Sequence, residues 1–319
     1  MKIFASNACY ILIVAIFATL LPSNQVNKQA KTKQKQSKKL MAQNIKLVVV
    51  DIDGTISGDA NQVNDAVKQA IKAAQAKGVK VAIATGRMYR SAVRFHELIG
   101  SDMPLISYQG AFIKDPKTDE LVGHWPVELE QALSLLDDLG EFATHDKLSI
   151  HIYVNDELYV RKMTPQTKFY AERSKVEVNV VGNLREFLTR TSTENPPTKI
   201  LALSDTAELI TEMLRVLKGR YTPQQLYLTK SVATFFEATN PIANKGTAVK
   251  HLAENILGFD RSQVLAIGDN FNDLEMIEYA GIGVVMGNGA EGLKPLGDWV
   301  APSVEDDGVA VAIEKFVLN

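Results

Sequence analysis

Cysteine is almost absent from this sequence of 319 residues, since Cys9 is the only one. A single cysteine cannot form a disulfide within the chain or build a cysteine-type zinc site. The five histidines are scattered without the spacing that metal ligands need. The HExxH, GxSxG and P-loop motifs are also missing, so the common signatures of zinc proteases, α/β-hydrolases and P-loop proteins are not present.

Basic residues are scarce in most of the chain. Residues 1–40 hold seven of the 35 lysines and arginines and no acid, which leaves 28 basic against 37 acidic residues in the remainder. A nucleic-acid-binding protein needs a basic footprint. We therefore expect no nucleic-acid partner.

Charge is absent from residues 3–27, which contain an apolar run at 8–21. That run has the length of a signal-peptide core and is short for a membrane span. A polar, lysine-rich segment follows, which we expect to be disordered. Three interpretations stay open: a cleaved signal peptide, a membrane anchor with the body held in the cytoplasm, or a translation start at Met41. We expect a cytoplasmic protein, with anchoring or export through residues 1–27 as the alternative, and exclude residues 1–40 from the fold.

Short β-branched runs alternate with segments of helical periodicity over residues 45–115. This alternation predicts βαβ units and a parallel sheet. Strands are predicted at 45–50, 79–85 and 104–108, with a hairpin whose turn spans 114–120. The pattern changes to an α+β unit over 116–230, which includes a hairpin at 148–162 turned by Asn155 and Asp156.

The α/β rhythm is expected to resume with a strand at 235–239. Further elements follow: a helix at 246–257, a strand at 263–269, a helix at 271–280, a strand at 282–286 and a helix at 307–317. The predicted fold is α/β: a doubly wound, Rossmann-like parallel sheet formed by 45–115 and 231–319. The α+β segment 116–230 is predicted to be an inserted second domain.

Several predicted strands end in polar residues, and one predicted helix begins with a lysine. These residues are Asp51, Asp53 and Gly54; Thr85, Gly86 and Arg87; Lys245; and Asp269, Asn272 and Asp273. In open α/β sheets, ligands bind in the crevice beyond the carboxyl ends of the strands. The residues are therefore expected to converge on one site.

The convergence of several carboxylates predicts a divalent cation, because like charges in one site oppose each other's ionisation. Mg²⁺ prefers such oxygen ligands. A hydroxyl, a lysine and loop amides can together hold a phosphate. One carboxylate then remains free to attack phosphorus, which is established chemistry for aspartate.

The four motifs DIDGT (51–55), ATGR (84–87), NKG (244–246) and GDNFND (268–273) resemble those of the haloacid dehalogenase superfamily. The resemblance is strongest to its Cof-like branch, which has a C2-type α+β cap. It implies that Asp51 becomes an aspartyl-phosphate and that Asp53 acts as acid, then base, and binds Mg²⁺ through its carbonyl. The other implied roles are metal ligands Asp51 and Asp269, phosphate-binding residues Gly54, Thr85, Gly86 and Lys245, and supporting residues Asn272 and Asp273.

Two stretches depart from the family pattern. Gln109 stands where an asparagine is common, and the sequence GNGAEG at 287–292 replaces a commoner Gly-Asn-Ala while keeping Asn288. Arg87, Gln109 and Asn288 are candidates for contacts with the substrate.

The resemblance implies a Mg²⁺-dependent phosphatase that hydrolyses a small phosphorylated metabolite, such as a sugar phosphate or a nucleotide. A phosphomutase or phosphotransferase of the same superfamily is one alternative. A phospho-accepting signalling module is another, although receiver domains are about half this size and have no inserted cap. A binding or scaffold protein that keeps the motifs without turnover is a third. Nothing in the sequence predicts an oligomeric state.

Overall fold

The computed structural model describes residues 44–143, 147–191 and 196–319. The expectations for residues 1–40 lie outside the described residues, so the signal, anchor and Met41 interpretations and the cytoplasmic location stay predictions. Within the described ranges, no helix has the length and apolar character needed to cross a membrane.

Strands and helices are numbered here in chain order. The strands are β1 (Leu47–Val50), β2 (Lys80–Ile83), β3 (Leu105–Ser107), β4 (Phe112–Lys114), β5 (Leu121–His124), β6 (Ser149–Val154), β7 (Glu157–Val160), β8 (Val178–Val180), β9 (Lys199–Leu203), β10 (Tyr227–Thr229), β11 (Phe235–Thr239), β12 (Val264–Gly268), β13 (Ile282–Val285) and β14 (Trp299–Val300). The helices are α1 (Asp65–Ala76), α2 (Tyr89–Leu98), α3 (Leu129–Phe142), α4 (Pro165–Ser174), α5 (Leu184–Thr191), α6 (Ala207–Arg220), α7 (Lys245–Lys250), α8 (Leu274–Tyr279) and α9 (Gly308–Ile313). Helices α7 and α9 continue as π-helical segments, His251–Ile256 and Glu314–Leu318.

A parallel sheet of five strands, in the order β14-β13-β12-β1-β2, forms the centre of the fold. Strand β1, between β12 and β2, is fully buried, as expected for a strand with both faces covered. At the end of β1, Val50 lies opposite Ile267 of β12 and Ile83 of β2. The residues that follow these three strands therefore meet at one edge of the sheet.

Helices cover both faces of the parallel sheet. Leu47 and Val49 of β1 share a buried cluster with Val249 of α7 and Met276 of α8. Side chains alternate along a strand, so the intervening valines face the opposite side. Helix α1 packs there against β2 and α9. The predicted doubly wound α/β sheet is confirmed.

A six-stranded sheet, in the order β10-β11-β9-β6-β7-β8, forms the separate α+β unit. Helices α3, α5 and α6 pack on one of its faces through a continuous apolar cluster. The β6–β7 turn places Asn155 and Asp156 at φ angles of 52° and 58°. Two consecutive residues in the left-handed region are typical of a tight hairpin turn, which confirms the predicted hairpin.

The sheet membership of residues 235–239 differs from the expectation. Strand β11 pairs antiparallel with β9 and β10 and does not join the parallel sheet, so the expectation that the α/β rhythm resumes there is wrong. Packing stabilises this pairing, since Phe236 and Ala238 fill the apolar cluster of the α+β unit. The division of the chain at 115/116 and 230/231 stays a prediction.

The strand predicted at 104–108 is shorter and only loosely joined to the parallel sheet. A single parallel bridge links Ile106 to Ala84. Strand β3 pairs with β4, and β4 pairs with β5, in a small antiparallel sheet that contains the hairpin expected around 114–120. The short strands β8 and β14 were not predicted.

Candidate active site

Lys245 joins two carboxylates at the edge of the parallel sheet. Its Nζ donates hydrogen bonds to Asp51 Oδ1 at 2.7 Å and to Asp273 Oδ1 at 2.6 Å, and the lysine is completely buried. Asp51 directly follows β1, whereas Lys245 is the first residue of α7. Asn244 caps that helix by accepting a hydrogen bond from the Thr247 amide, which fixes where the lysine emerges.

The second carboxylate oxygen of Asp273 holds the loop after β12. Asp273 Oδ2 accepts hydrogen bonds from the amides of Asp269 at 2.9 Å and Asn270 at 3.0 Å. This arrangement turns the Asp269 side chain toward the site. Asp51, Asp269 and Asp273, named the acidic cluster below, each have a carboxylate oxygen within 4.8 Å of the others.

Burial and mutual repulsion disfavour ionisation of two members of the acidic cluster, Asp51 and Asp269. Burial raises the pKa of Asp51 to about 7, and the charges of Asp273 and Asp53 add to this effect against the opposing charge of Lys245. Burial, followed by the charges of Asp273 and Asp51, raises the pKa of Asp269 to about 9. For Lys245, burial opposes the charged form, but the two carboxylates outweigh it and raise its pKa.

The acidic cluster fits a divalent cation such as Mg²⁺. Its donors are carboxylate oxygens, and burial together with the neighbouring carboxylates raises the pKa values of Asp51 and Asp269, so a cation there would favour their ionised forms. Gly54 leaves room beside the cluster: it has a φ of 78°, and a Cβ there would overlap the Asp269 carboxylate. A side chain at this position would therefore be strained and would also displace a predicted metal ligand.

Asp53 faces a different partner, the guanidinium of Arg87. Arg87 Nε donates to Asp53 Oδ2 at 2.8 Å and Arg87 Nη2 donates to Oδ1 at 2.6 Å, while Arg173 Nη2 lies 3.8 Å from Oδ1. Burial favours the neutral acid, but the bidentate Arg87 contact outweighs it, so the pKa of Asp53 lies below its usual value. Two carboxylates two residues apart therefore experience opposite environments.

Thr85 and Gly86 form the turn after β2. Thr85 is buried, and its Oγ1 accepts a hydrogen bond from the Arg87 amide at 3.2 Å. The Gly86 carbonyl accepts a hydrogen bond from Lys199 Nζ at 2.6 Å. A Cβ on Gly86 would overlap the side-chain amide of Gln109, so the close approach requires glycine here.

Three predicted residues mainly support other protein groups. Gln109 is completely buried with a φ of 60°, and its Oε1 accepts a hydrogen bond from Asn272 Nδ2 at 3.1 Å. Asn288 Nδ2 donates to the Gly54 carbonyl at 2.8 Å, while its Oδ1 accepts from the Val304 amide. The substrate contacts predicted for Gln109 and Asn288 stay predictions, as does that of Arg87, which pairs with Asp53.

A cleft of about 770 Å³ connects these residues with the α+β unit. Its lining from the parallel-sheet side includes Asp51, Asp53, Thr85 and Asp269. The α+β unit contributes the following lining residues, among others: Phe169, Arg173, Lys199, Leu201, Phe235 and Glu237.

The sequence analysis missed every one of the cleft residues contributed by the α+β unit. Arg173 has no local signal, because it reads as an ordinary basic residue in the last turn of α4. Lys199 and Glu237 did carry a signal: Lys199 begins an apolar strand and Glu237 interrupts one, and charged residues are almost never fully buried unless they are paired. Two opposite charges inside buried strands could have predicted an ion pair.

Comparison with known proteins gives one consistent family. The family model described as haloacid dehalogenase-like hydrolase matches residues 48–313. A protein of Streptococcus pyogenes serotype M6 is 32% identical over 286 residues, which cover 86% of this chain and 99% of that protein. A 5-amino-6-(5-phospho-D-ribitylamino)uracil phosphatase of Bacillus subtilis is 26% identical over 277 residues, covering 85% of this chain and 97% of the relative.

Solved structures agree with this result. A haloacid dehalogenase-like hydrolase from Bacteroides thetaiotaomicron superposes with a TM-score of 0.71 at 28% identity, covering 85% of this chain and 99% of that one. The match includes both the parallel sheet and the α+β unit. The chain therefore belongs to the haloacid dehalogenase-like hydrolases and is a phosphatase of that superfamily.

Proposed function

We propose that this phosphatase is Mg²⁺-dependent and hydrolyses a small phosphorylated metabolite through an aspartyl-phosphate on Asp51. The observation that carries the proposal is the opposite treatment of two nearby carboxylates. Asp51 belongs to the acidic cluster and pairs with Lys245, whereas Asp53 pairs with Arg87. Attack requires an ionised Asp51, which a cation at the acidic cluster would favour, and proton donation requires a protonated Asp53, which opening of its pair with Arg87 would favour.

In the first half of the proposed reaction, an Asp51 oxygen attacks phosphorus. The bond between phosphorus and the leaving oxygen breaks, and Asp53 in its acid form gives that oxygen a proton. Thr85, Gly86 and Lys245 hold the phosphate oxygens. A magnesium ion held by Asp51, Asp269 and the Asp53 carbonyl would supply positive charge for the transferring group.

In the second half, the aspartyl-phosphate is hydrolysed. The Asp53 carboxylate takes a proton from water, the water oxygen bonds to phosphorus, and the bond to the Asp51 oxygen breaks. Inorganic phosphate leaves, and both aspartates return to their starting states. We propose that the α+β unit acts as the cap that covers this site and contacts the leaving group.

A small metabolite as substrate fits the size of the cleft, which is about 770 Å³. The printed name of the Bacillus subtilis relative describes a phosphorylated ribitylamino-uracil as that protein's substrate. We therefore place compounds of that kind beside sugar phosphates and nucleotides among the substrates to test.

The test is phosphate release from a panel of phosphorylated metabolites, with Mg²⁺ and with EDTA. The variants are Asp51→Asn and, as a matched control, Asp65→Asn, which changes an exposed aspartate of α1. We expect release that requires Mg²⁺, is lost in Asp51→Asn and is unchanged in Asp65→Asn. Turnover by Asp51→Asn at the wild-type rate would refute the nucleophile, and metal-independent turnover would refute the cation site.

The same experiment separates the alternatives. Isomerised sugar phosphate without free phosphate would favour a phosphomutase. A phospho-aspartate that lasts for minutes without repeated turnover would favour a signalling module. We also propose a cytoplasmic location, which cell fractionation and determination of the mature N-terminus would test together.

A further inference from the structure

The α+β unit contains a buried ion pair that the proposed reaction does not use. Lys199 Nζ lies 2.8 Å from Glu237 Oε2, and the two side chains are only 3% and 2% exposed. They extend from neighbouring strands β9 and β11, where Glu237 lies opposite Leu201. Their strand neighbours Ile200 and Phe236 fill the apolar cluster beneath the sheet, so the charged pair faces the other side, toward the cleft.

From that face, the ion pair reaches two loops of the parallel-sheet unit directly. Lys199 Nζ donates to the Gly86 carbonyl at 2.6 Å. Glu237 Oε1 accepts from Gln109 Nε2 at 3.1 Å. Because Gln109 Oε1 in turn accepts from Asn272, the loop after β12 is connected as well.

The Lys199 contact acts on a peptide group next to Thr85. The Gly86 carbonyl and the Arg87 amide belong to one planar peptide unit. Lys199 Nζ donates to the oxygen of that peptide unit, and the N–H of the same unit, the Arg87 amide, donates to Thr85 Oγ1 at 3.2 Å. With that lone pair engaged, the Thr85 hydroxyl proton is available to donate to a phosphate oxygen.

Stability alone does not explain this ion pair. Removing two charges from water is costly, and well-packed apolar residues of similar volume often stabilise a protein equally well. The pair does, however, impose a specific geometry, since each partner has a second hydrogen bond to a different loop. Gln109, which replaces the asparagine common in the family, has the length needed to reach Glu237.

We propose that Lys199, Glu237 and Gln109 are positioning residues that fix the phosphate-binding turn against the cap. The inference rests on the proposed function, because it assigns the Thr85 turn to phosphate binding. It extends that function by making phosphate affinity depend on a contact between the two units. Loosening the contact is expected to weaken binding of every phosphate compound, whatever its leaving group.

The deciding variants are the double variant Lys199→Met/Glu237→Leu and the single variant Gln109→Asn. The double variant removes both charges together, so neither is left buried without its partner. Gln109→Asn keeps the chemistry of the amide but shortens its reach. A matched control is Arg215→Met/Glu212→Leu, which removes an exposed ion pair on α6 of the same unit.

Three quantities are measured with the full chain in Mg²⁺: kcat/KM for two substrates with unlike leaving groups, the affinity for inorganic phosphate by calorimetry, and Tm. For both deciding variants we expect a loss of about 10- to 100-fold in kcat/KM, as small displacements of reacting groups produce. The loss should be similar for both substrates and be accompanied by weaker phosphate binding. The control should match the wild type.

Folded deciding variants with wild-type kcat/KM and phosphate affinity would overturn this inference alone. A loss confined to one substrate would also overturn it, because it would show a contact with the leaving group. Wild-type protein that neither releases nor binds phosphate would instead overturn the proposed function. If the wild type binds phosphate but shows no turnover, the phosphate affinities measured by calorimetry decide: deciding variants that bind as tightly as the wild type would overturn the inference.

Discussion

Replacing Lys245 with methionine tests the electrostatic design of the site. Methionine has a similar length and volume, so the change mainly removes the charge that Asp51 and Asp273 share. Both aspartates are buried, at 4% and 0% exposure. Removing one partner of a buried ion pair typically costs about 3–5 kcal/mol. Because this lysine serves two carboxylates, we expect the free energy of unfolding to fall by about 4–5 kcal/mol at pH 8.

The cost should depend on pH with a definite sign. Burial already raises the pKa of Asp51 to about 7 with Lys245 present, and losing the lysine removes the main opposing effect. Between the unfolded value of 3.8 and this raised value, the folded variant holds more protons than the unfolded chain. The stability of the variant therefore falls as the pH rises through that window. The wild type loses stability over the same window, so the destabilisation of the variant relative to wild type grows above about pH 7 and should be smaller at pH 5 than at pH 8.

The assay is urea unfolding of wild type and variant at both pH values, in buffer containing EDTA. Lys68→Met is the control, because Lys68 pairs with the exposed Asp65 and such surface pairs contribute less than about 1 kcal/mol. Adding Asp273→Asn to Lys245→Met removes one uncompensated charge and should recover part of the stability without restoring turnover. A loss below about 1 kcal/mol at pH 8, or an equal loss at both pH values, would refute the reasoning.

Three further predictions concern the metal, the loop and the cap. Mg²⁺ should raise Tm more at pH 8 than at pH 6, because binding requires ionised Asp51 and Asp269, whose pKa values burial raises. A Tm that does not change on addition of Mg²⁺ would contradict this. Gly54→Ala should lower the free energy of unfolding by about 1–2 kcal/mol and also abolish turnover. Gly100→Ala, which places a side chain in open space at a φ of 64°, should lower the stability without changing turnover. Arg173→Met should raise the pKa of Asp53 and shift the part of the pH–rate profile that reports Asp53 to higher pH. An unchanged profile would show that Arg173 does not affect the ionisation of Asp53.

The location of the site could be predicted because it follows from local sequence and sheet topology. The run LVVV is a buried parallel strand, and Asp51 follows its carboxyl end. Parallel strands β1, β2 and β12 end at one edge, so Thr85 and Asp269 had to lie near Asp51. No knowledge of side-chain contacts was needed for this step.

The contacts between the two units could not be predicted in the same way. Apolar alternation in residues 235–239 indicates a strand with one buried face, but it does not indicate which sheet the strand joins. Likewise, Lys199 lies 113 residues from Gly86 along the chain. Only the assembled sheets bring such residues together, so their contacts depend on tertiary packing rather than on local pattern.

The distribution of charge explains why a divalent cation and a phosphate should bind together. Lys245 donates hydrogen bonds to Asp51 and Asp273, and Arg87 donates hydrogen bonds to Asp53. Within the described ranges, no hydrogen bond from a cationic side chain reaches Asp269, and burial raises its pKa to about 9. An arriving phosphate adds negative charge to a site that already favours protonation of Asp269. A divalent cation bound at the acidic cluster would reverse that balance, because it would favour ionised Asp269 and attract phosphate oxygens. Each ligand should therefore raise the affinity of the site for the other by the same factor.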